Sequence, residues 1–159
     1  MRNRRKADSV ASYLVLESGT RTLLYQRGPT SNYLPGHWSL VAGGLEKGEE
    51  PHDTIIREAE EEAGIRLRKE DLKLVHRMHR EQHDHTGPRA DYFFRATRWE
   101  GEITNCEPHK CERIEWFERG PLPEPMVPHV AVALRYIEHG VVSSKLTNEF
   151  FRIHGLLKL

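Results

Sequence analysis

Three glutamates fall on one side of a segment whose pattern is typical of a helix. Glu58, Glu61 and Glu62 lie within an arc of about 100° if each residue advances the helix by about 100°. Each such pair of like charges costs about a few tenths of a kcal/mol in an isolated helix. A divalent cation would compensate, because hard ions such as Mg²⁺ and Mn²⁺ take carboxylate oxygens as ligands. A solvated acidic helix face is the alternative.

A glycine-rich turn precedes this helix and favours the metal-site interpretation. Gly43, Gly44 and Gly48 let the backbone adopt tight or left-handed conformations, and they let a ligand approach main-chain groups closely. The turn leads to a helix N-terminus near Glu50, where free N–H groups and the helix dipole favour anions. An acidic helix behind such a turn indicates a site for a metal ion and a diphosphate.

The elements that must position this segment are strands and helices in mixed order. Two strands joined by a turn are expected at residues 8–16 and 21–26, and a short strand at 38–42 leads into the glycine turn. The helix that carries the glutamates should begin near Glu50 and end at Gly64. Further strands are expected at 72–79, 91–99 and 114–117, and a second helix at about 129–139. This order predicts a mixed α/β domain.

Size and composition indicate a single soluble domain over residues 1–159. We expect a basic tail at 1–6 and a C-terminal extension at 140–159, which packs on the domain or on a second subunit in a homodimer. The 24 basic and 24 acidic residues balance, so neither a nucleic acid polymer nor a membrane is expected as a partner. With only two cysteines, Cys106 and Cys111, a reduced cytoplasmic setting fits best.

The segment that carries the chemistry resembles the complete Nudix box. Its pattern is Gly, five residues, Glu, seven residues, Arg-Glu, an apolar residue, any residue, Glu-Glu, any residue, Gly and an apolar residue. The seven fixed positions are matched by Gly43, Glu49, Arg57, Glu58, Glu61, Glu62 and Gly64. Ala59 and Ile65 fill the apolar places, and Val41-Ala42 stands where many relatives have Pro-Gly. The resemblance implies the family's α/β/α sandwich with a mixed sheet, over residues 7–140.

The resemblance also implies a mechanism. Members of the family cut a phosphoanhydride bond in a nucleoside diphosphate linked to another group, using divalent ions such as Mg²⁺ or Mn²⁺. Metal ligands are expected at Glu58, Glu61, Glu62 and the main-chain carbonyl of Ala42. An ion pair between Arg57 and Glu49 is expected to orient Glu58, the candidate to take the proton of the attacking water. Relatives often use one more acidic residue from a remote loop, for which Glu107 is the candidate and an ordinary loop glutamate the alternative.

Four residues outside the box are candidates for substrate binding. Tyr33 and Trp38 lie just before it, where an aromatic ring can stack on a nucleobase, although core packing is the alternative for Trp38. His79 and Arg80 lie at the end of a predicted strand and are candidates to contact phosphate or base. A surface or edge-strand position is the alternative for both.

The substrate class is inferred from signatures that are missing after the box. Relatives that cut ADP-ribose tend to carry a proline, and those that cut dinucleoside polyphosphates a tyrosine, in a region that here reads Arg80-Glu81-Gln82-His83. The hydrophobic-proline signature of NADH-cleaving relatives is also absent. The segment from Asn105 to Trp116 resembles one in small triphosphatases, so the predicted reaction cleaves a (deoxy)nucleoside triphosphate to monophosphate and pyrophosphate. The alternatives are a nucleotide sugar or ADP-ribose-type substrate, and a non-catalytic Nudix-fold binding module.

Overall fold

The computed structural model describes residues 9–159, so the basic tail expected at 1–6 lies outside the described residues. The described part contains eight strands and three α-helices. In chain order they are β1 (Ser9–Ser18), β2 (Arg21–Arg27), β3 (Trp38–Ser39), β4 (Ala42–Gly44), α1 (Pro51–Ala63), β5 (Lys73–Arg80), β6 (Arg89–Ala96), β7 (Cys111–Glu118), α2 (Pro128–Glu138), β8 (Ser143–Leu146) and α3 (Asn148–Ile153). Between residues 9 and 159, none of the helices has the length and apolar character needed to cross a membrane.

The strands form one mixed sheet with β1 near its centre. The strand order is β3-β2-β1-β6-β5-β8, with β4 added to β1 and β7 added to β2. The two ends of β1 pair antiparallel with different partners, β4 at its start and β2 at its end, while β6 runs parallel along its other side. The β1–β2 hairpin and the antiparallel β5–β6 pair agree with the sequence-based expectation.

Side chains of β1 alternate between two hydrophobic layers, because successive side chains of a strand point to opposite faces. Leu14 and Leu16 pack in the layer that contains the buried residues of α1. Tyr13 and Val15 pack in the other layer, together with the buried residues of α2. Helices cover both faces of the sheet, which confirms the expected α/β/α sandwich.

Helix α1 is placed by its apolar stripe and by signals at both ends. Ile55 and Ala59 are completely buried against the sheet. At the start, the N–H of Glu50 donates to a carboxylate oxygen of Asp53 at 2.9 Å. At the end, Gly64 adopts the left-handed conformation with φ of 69°, which glycine accommodates without strain. The box glutamates therefore lie beside the buried stripe.

The strand expected at residues 38–42 is two strands instead. β3 pairs with β2, whereas β4 pairs with β1, so the chain changes its partner strand between them. The change occurs at Leu40 and Val41, which are both buried, and the carbonyl of Val41 accepts from the N–H of Leu14 at 2.9 Å. This crossing brings Ala42–Gly44, where the box begins, alongside the first half of β1.

The C-terminal extension at residues 140–159 packs on the domain, which is one of the two arrangements expected for it. β8 pairs parallel with β5 and so extends the sheet. α3 buries Phe151 completely in the layer that contains α2. The homodimer stays a prediction.

Candidate active site

Glu58 lies directly against the first glycine of the box. A Cβ placed on Gly43 would collide with Oε1 of Glu58, so any side chain at this position would force the Glu58 carboxylate to move. In the β1–β4 ladder Gly43 is opposite Ser12, whose hydroxyl donates to the carbonyl of Pro51 at 2.7 Å. That bond ties the start of α1 to β1. The missing side chain of Gly43 thus allows a carboxylate to approach the main chain of β4.

Arg57 connects the glycine turn to the helix through hydrogen-bonded ion pairs. Its Nε lies 2.9 Å from Oε2 of Glu49, and its Nη2 lies 3.1 Å from Oε1 of the same residue. Nη2 also donates to the carbonyl of Gly44 at 3.0 Å, and Nη1 donates to Oε1 of Glu58 at 2.8 Å. The hydrogen bond from Arg57 lowers the pKa of Glu49 to about 2. Arg57 therefore holds Glu58 in a fixed position relative to the turn.

Glu62 is the second carboxylate beside β4. The N–H of Ala42 donates to Oε2 of Glu62 at 3.3 Å. Burial, and then the charge of Glu58, raise the pKa of Glu62 to about 9. Burial also raises the pKa of Glu58. The two carboxylates are thus adjacent and poorly solvated, and the pKa of Glu58 is raised although Arg57 donates a hydrogen bond to it.

These oxygens fit a divalent cation. Carboxylates are the ligands that Mg²⁺ and Mn²⁺ prefer, and a cation between Glu58 and Glu62 would supply the missing positive charge. Glu61 lies further out, with a side chain that is 52% exposed, against 13% for Glu58. Its Oε2 lies 3.3 Å from Nη1 of Arg57.

A different acidic group lies at the start of α1. Ligand-type atoms of Glu50, His52 and Asp53 all lie within 4.8 Å of one another, which holds for no other group of three in the described part of the chain. The hydrogen bond from the Glu50 N–H to Asp53 accounts for this approach, since it is the usual geometry of a helix N-terminus. We therefore assign this group to helix capping.

The loop that carries Glu107 is docked on the C-terminal end of α1. The N–H of Thr104 donates to the carbonyl of Ala63 at 2.9 Å, and the N–H of Cys106 donates to the carbonyl of Glu62 at 3.1 Å. Besides the larger effect of burial, the charge of Glu107 contributes to the raised pKa of Glu62. The structure therefore brings the remote acidic residue close to the box.

Three further polar side chains that were not predicted from the sequence support the site. The hydroxyl of Thr54 donates to Oε1 of Glu49 at 3.1 Å. Tyr25 is buried near the carboxylates, and burial followed by the charge of Glu62 raises its pKa. Ser12 is the third, through its bond to the start of α1. The one signal in the sequence that could have indicated such a residue is Thr54, a polar side chain on the otherwise apolar buried stripe of α1.

Two of the four predicted substrate contacts are core residues instead. Trp38 is 4% exposed and packs edge-on against Phe117, with ring centroids 4.8 Å apart. Arg80 is also 4% exposed, and its Nε and Nη2 donate to the two carboxylate oxygens of Asp91 at 2.6 and 2.9 Å. Their predicted roles in stacking and phosphate contact are corrected, because the ring of Trp38 is packed against Phe117 and the guanidinium of Arg80 is bonded to Asp91.

The other two predicted contacts, Tyr33 and His79, are half-buried. The guanidinium of Arg27 lies over the ring of Tyr33, 5.4 Å from its centroid. His79 lies on β5, opposite Ala90 of β6 and beside Lys145 of β8. Their roles toward a substrate stay predictions.

Buried polar groups also gather on the α2 face of the sheet. This polar cluster comprises Tyr13, Tyr33, Arg80, Asp91 and His129. The hydroxyl of Tyr13 lies 2.9 Å from Nε2 of His129, and burial followed by the charge of Arg80 lowers the pKa of His129, which keeps that imidazole neutral. The hydroxyl of Tyr33 and Nδ1 of His129 are buried and find no hydrogen-bond partner among residues 9–159. Buried polar atoms are normally paired, so both point to a polar ligand or a bound water.

A cavity of about 940 Å³ opens beside α2, bordered by residues 117–124. Val15 and Arg135 line it, which places it on the α2 face of the sheet. Its walls contain none of the residues 43–65, so we assign it no part in the chemistry.

Comparison with known proteins identifies the family to which this site belongs. Residues 5–136, most of the chain, match the NUDIX domain. The chain belongs to the Nudix family. The complete box and the sandwich fold agree with this assignment, and Nudix enzymes generally use a divalent metal.

Relatives of this Nudix protein differ in the substrates that their names state. The 8-oxo-dGTP diphosphatase of Proteus vulgaris is 27% identical over 96 residues, which cover 60% of this chain and 80% of that protein. The ADP-ribose pyrophosphatase of Haemophilus influenzae is 50% identical over 40 residues, which cover 25% of this chain but only 18% of that protein. The crystal structure of the MutT NUDIX hydrolase from Burkholderia pseudomallei matches with a TM-score of 0.73 at 25% identity, over 82% of this chain and 98% of that one.

Proposed function

We propose that this Nudix protein hydrolyses a (deoxy)nucleoside triphosphate to the monophosphate and pyrophosphate, with Mg²⁺ or Mn²⁺ as its cofactor. The observation that carries the proposal is the pair of poorly solvated carboxylates, Glu58 and Glu62, held against the main chain of β4. Such a pair can bind a divalent cation, and that cation can in turn bind a phosphate chain.

The metal would be held by Glu58 and Glu62, with Glu61 as a ligand directly or through water and the carbonyl of Ala42 as a main-chain ligand. A divalent ion bound there would neutralise charge on the phosphate oxygens and make water easier to deprotonate. The N–H of Ala42 already bonds Glu62, so β4 and α1 are in contact at the place where this carbonyl is needed.

The side chains around the metal site have separate roles in the proposed reaction. Glu58 accepts the proton of the attacking water at a carboxylate oxygen, and Arg57 orients that carboxylate through the 2.8 Å bond to Oε1. Glu49 holds Arg57 by accepting two of its N–H groups. Glu107 adds a further carboxylate from the loop that is docked on the end of α1. Its carboxylate lies 3.2 Å from Nζ of Lys110.

The nucleoside would lie on the side of Tyr33, which is half-buried and packs against the layer that contains α2. The β1–β4 ladder supports this placement, because Tyr13 of the polar cluster is directly opposite Ala42. A substrate crossing the edge of β4 would therefore have its phosphates by the box and its base near the polar cluster.

A triphosphate substrate is supported by the relative in Proteus vulgaris, since that match extends over most of its length. ADP-ribose or a nucleotide sugar is the second candidate, supported by the short match to the Haemophilus influenzae enzyme. The cytoplasmic setting stays a prediction.

Product analysis decides between the two candidates. The protein would be incubated with each deoxynucleoside triphosphate, an 8-oxo-purine triphosphate, ADP-ribose and a nucleotide sugar, in Mg²⁺ and in Mn²⁺. Pyrophosphate and monophosphate from a triphosphate support the proposal. A far higher kcat/KM for ADP-ribose or a nucleotide sugar would select the second candidate, and no turnover of any nucleotide would favour a non-catalytic binding module.

A further inference from the structure

We propose that residues 140–159, which lie beyond the family match, are part of the nucleoside-binding half of the enzyme, because they hold the segment at residues 81–88 against the polar cluster. This inference rests on the proposed function, since it concerns how a nucleotide is bound. It assigns a positioning role to the contact between His83 and Phe151.

The extension holds the start of this segment by main-chain and side-chain bonds. The N–H of Glu81 donates to the carbonyl of Leu146 at 3.0 Å, and the N–H of Asn148 donates to Oε2 of Glu81 at 3.1 Å. The N–H of Lys158 donates to the carbonyl of His83 at 2.6 Å. Strand β8, helix α3 and the residues after α3 thus each form a hydrogen bond to Glu81 or His83.

A ring stack completes this attachment. The rings of His83 and Phe151 are 3.7 Å apart at their centroids and nearly parallel, with an angle of 9° between their planes. Both residues are almost completely buried, at 2% and 0% exposure. Because both rings are enclosed, truncation of either one would leave a void beside the other, so the stack helps to hold His83 in place.

The held segment is continuous with the polar cluster at both of its ends. It follows Arg80 directly and leads into β6, which carries Asp91, so the ion pair between them closes the base of the loop. Charges of the segment also reach the cluster: after burial and Arg80, the charge of His83 contributes to the lowered pKa of His129. Phe151 and Tyr13 belong to one buried hydrophobic layer, and Tyr33 packs against it, so loss of the ring stack would disturb the packing around the polar cluster.

The polar cluster is suited to a nucleobase. The Tyr33 hydroxyl can donate or accept, and so can neutral imidazole according to its tautomer, so these two unpartnered atoms match an edge with N–H and C=O groups. Loss of the stack should therefore weaken binding of the nucleoside part. The phosphate end should be unaffected, because the box is built from α1, β4 and the loop of Glu107.

Equilibrium binding separates these two ends without requiring turnover. Calorimetric titrations with a nucleoside monophosphate and with pyrophosphate, both in Mg²⁺, would be made on His83→Ala, His83→Phe and Phe151→Leu. Ile153→Ala is the matched control, since that side chain is in α3 but 71% exposed. Thermal melting would show that each variant is folded.

We expect His83→Ala and Phe151→Leu to raise the monophosphate Kd about tenfold and to leave the pyrophosphate Kd within about twofold. His83→Phe, which keeps one ring on another, should stay close to the wild type, as should Ile153→Ala. With a hydrolysed triphosphate, KM should rise by the same factor while kcat is unchanged.

The inference is overturned if the monophosphate Kd is unchanged in both stack-breaking variants, or if both ligands weaken equally. Equal losses in His83→Phe and His83→Ala would also overturn it, because the stack would then be irrelevant. If one variant does not fold, the other carries the same expectation from the opposite side of the contact. An inactive wild type that still binds the monophosphate through this contact would refute the proposed hydrolysis alone.

Discussion

The two faces of the sheet differ in how their charged side chains are paired. On the α1 face, one arginine, Arg57, serves several carboxylates at once, and Glu58 and Glu62 keep raised pKa values. On the α2 face, Arg80 and Asp91 neutralise each other. The buried atoms of this cluster that lack a hydrogen-bond partner among the described residues belong to neutral groups, the hydroxyl of Tyr33 and Nδ1 of His129.

This difference indicates what each face can bind. A deficit of positive charge among carboxylates calls for a cation, whereas unpaired neutral donors and acceptors call for a neutral polar partner such as a base edge. A nucleotide with its metal ion has both kinds of group. The comparison therefore predicts that variants of the two faces should separate chemistry from nucleoside binding.

The largest effects should come from the carboxylates on the α1 face. Glu58→Gln and Glu62→Gln should each reduce kcat by about a hundredfold or more, since each removes charge from the metal site while keeping the shape. Initial rates at saturating Mg²⁺ and nucleotide would measure this. The fold should survive, and a variant that keeps near wild-type turnover would remove that residue from its assigned role.

Arg57→Ala should have a smaller effect, a loss in kcat of about tenfold to a hundredfold, because the arginine orients Glu58 without touching the reacting atoms. Arg57→Lys should recover only part of the loss, since an ammonium cannot bond both oxygens of Glu49 in the same way. A loss equal to that of Glu58→Gln would place Arg57 in the chemistry itself.

Glu107→Gln should lower kcat by about tenfold, as expected for a carboxylate that assists from a remote loop. Glu112→Gln is the control, because Glu112 is an exposed glutamate a few residues further along the same chain segment. Rates would be measured across a range of Mg²⁺ concentrations. If both variants behave like the wild type, Glu107 is an ordinary loop residue.

The smallest expected effect belongs to the α2 face. Tyr33→Phe removes a buried hydroxyl that has no partner within residues 9–159, so the ligand-free protein should be as stable as the wild type or more stable. The nucleotide KM should nevertheless rise about fivefold, because the base loses one hydrogen bond. Chemical denaturation and steady-state kinetics would test both parts, and a lower stability with an unchanged KM would contradict them.

The two faces also differ in how much of them the sequence could predict. The α1 site comes mainly from one continuous segment, residues 43–65, so its spacing was sufficient to predict a helix close to the observed Pro51–Ala63. Residues three or four positions apart share one face of a helix, so the pattern can be recognised within one continuous segment of sequence. Glu107 was predictable only through the family resemblance, because its approach to the box depends on tertiary hydrogen bonds.

The polar cluster was not predictable in the same way, since its residues come from distant parts of the chain. Arg80, at the end of a predicted strand, was expected to contact phosphate or base, but its Nε and Nη2 donate to Asp91 on the neighbouring strand. Trp38 was expected to stack on a nucleobase, but in the structure its ring packs against Phe117 in the core. Partners of this kind depend on strand register, which a single strand's alternation does not reveal.

Removal and return of the metal test whether the box carboxylates hold the catalytic ion. Pyrophosphate release from the preferred triphosphate would be followed in excess EDTA, and then as Mg²⁺ or Mn²⁺ is titrated back, for the wild type and for Glu62→Gln. We expect no turnover in EDTA, full recovery of the wild type with either ion, and little recovery of Glu62→Gln. Full wild-type turnover in EDTA would contradict a metal site at these carboxylates.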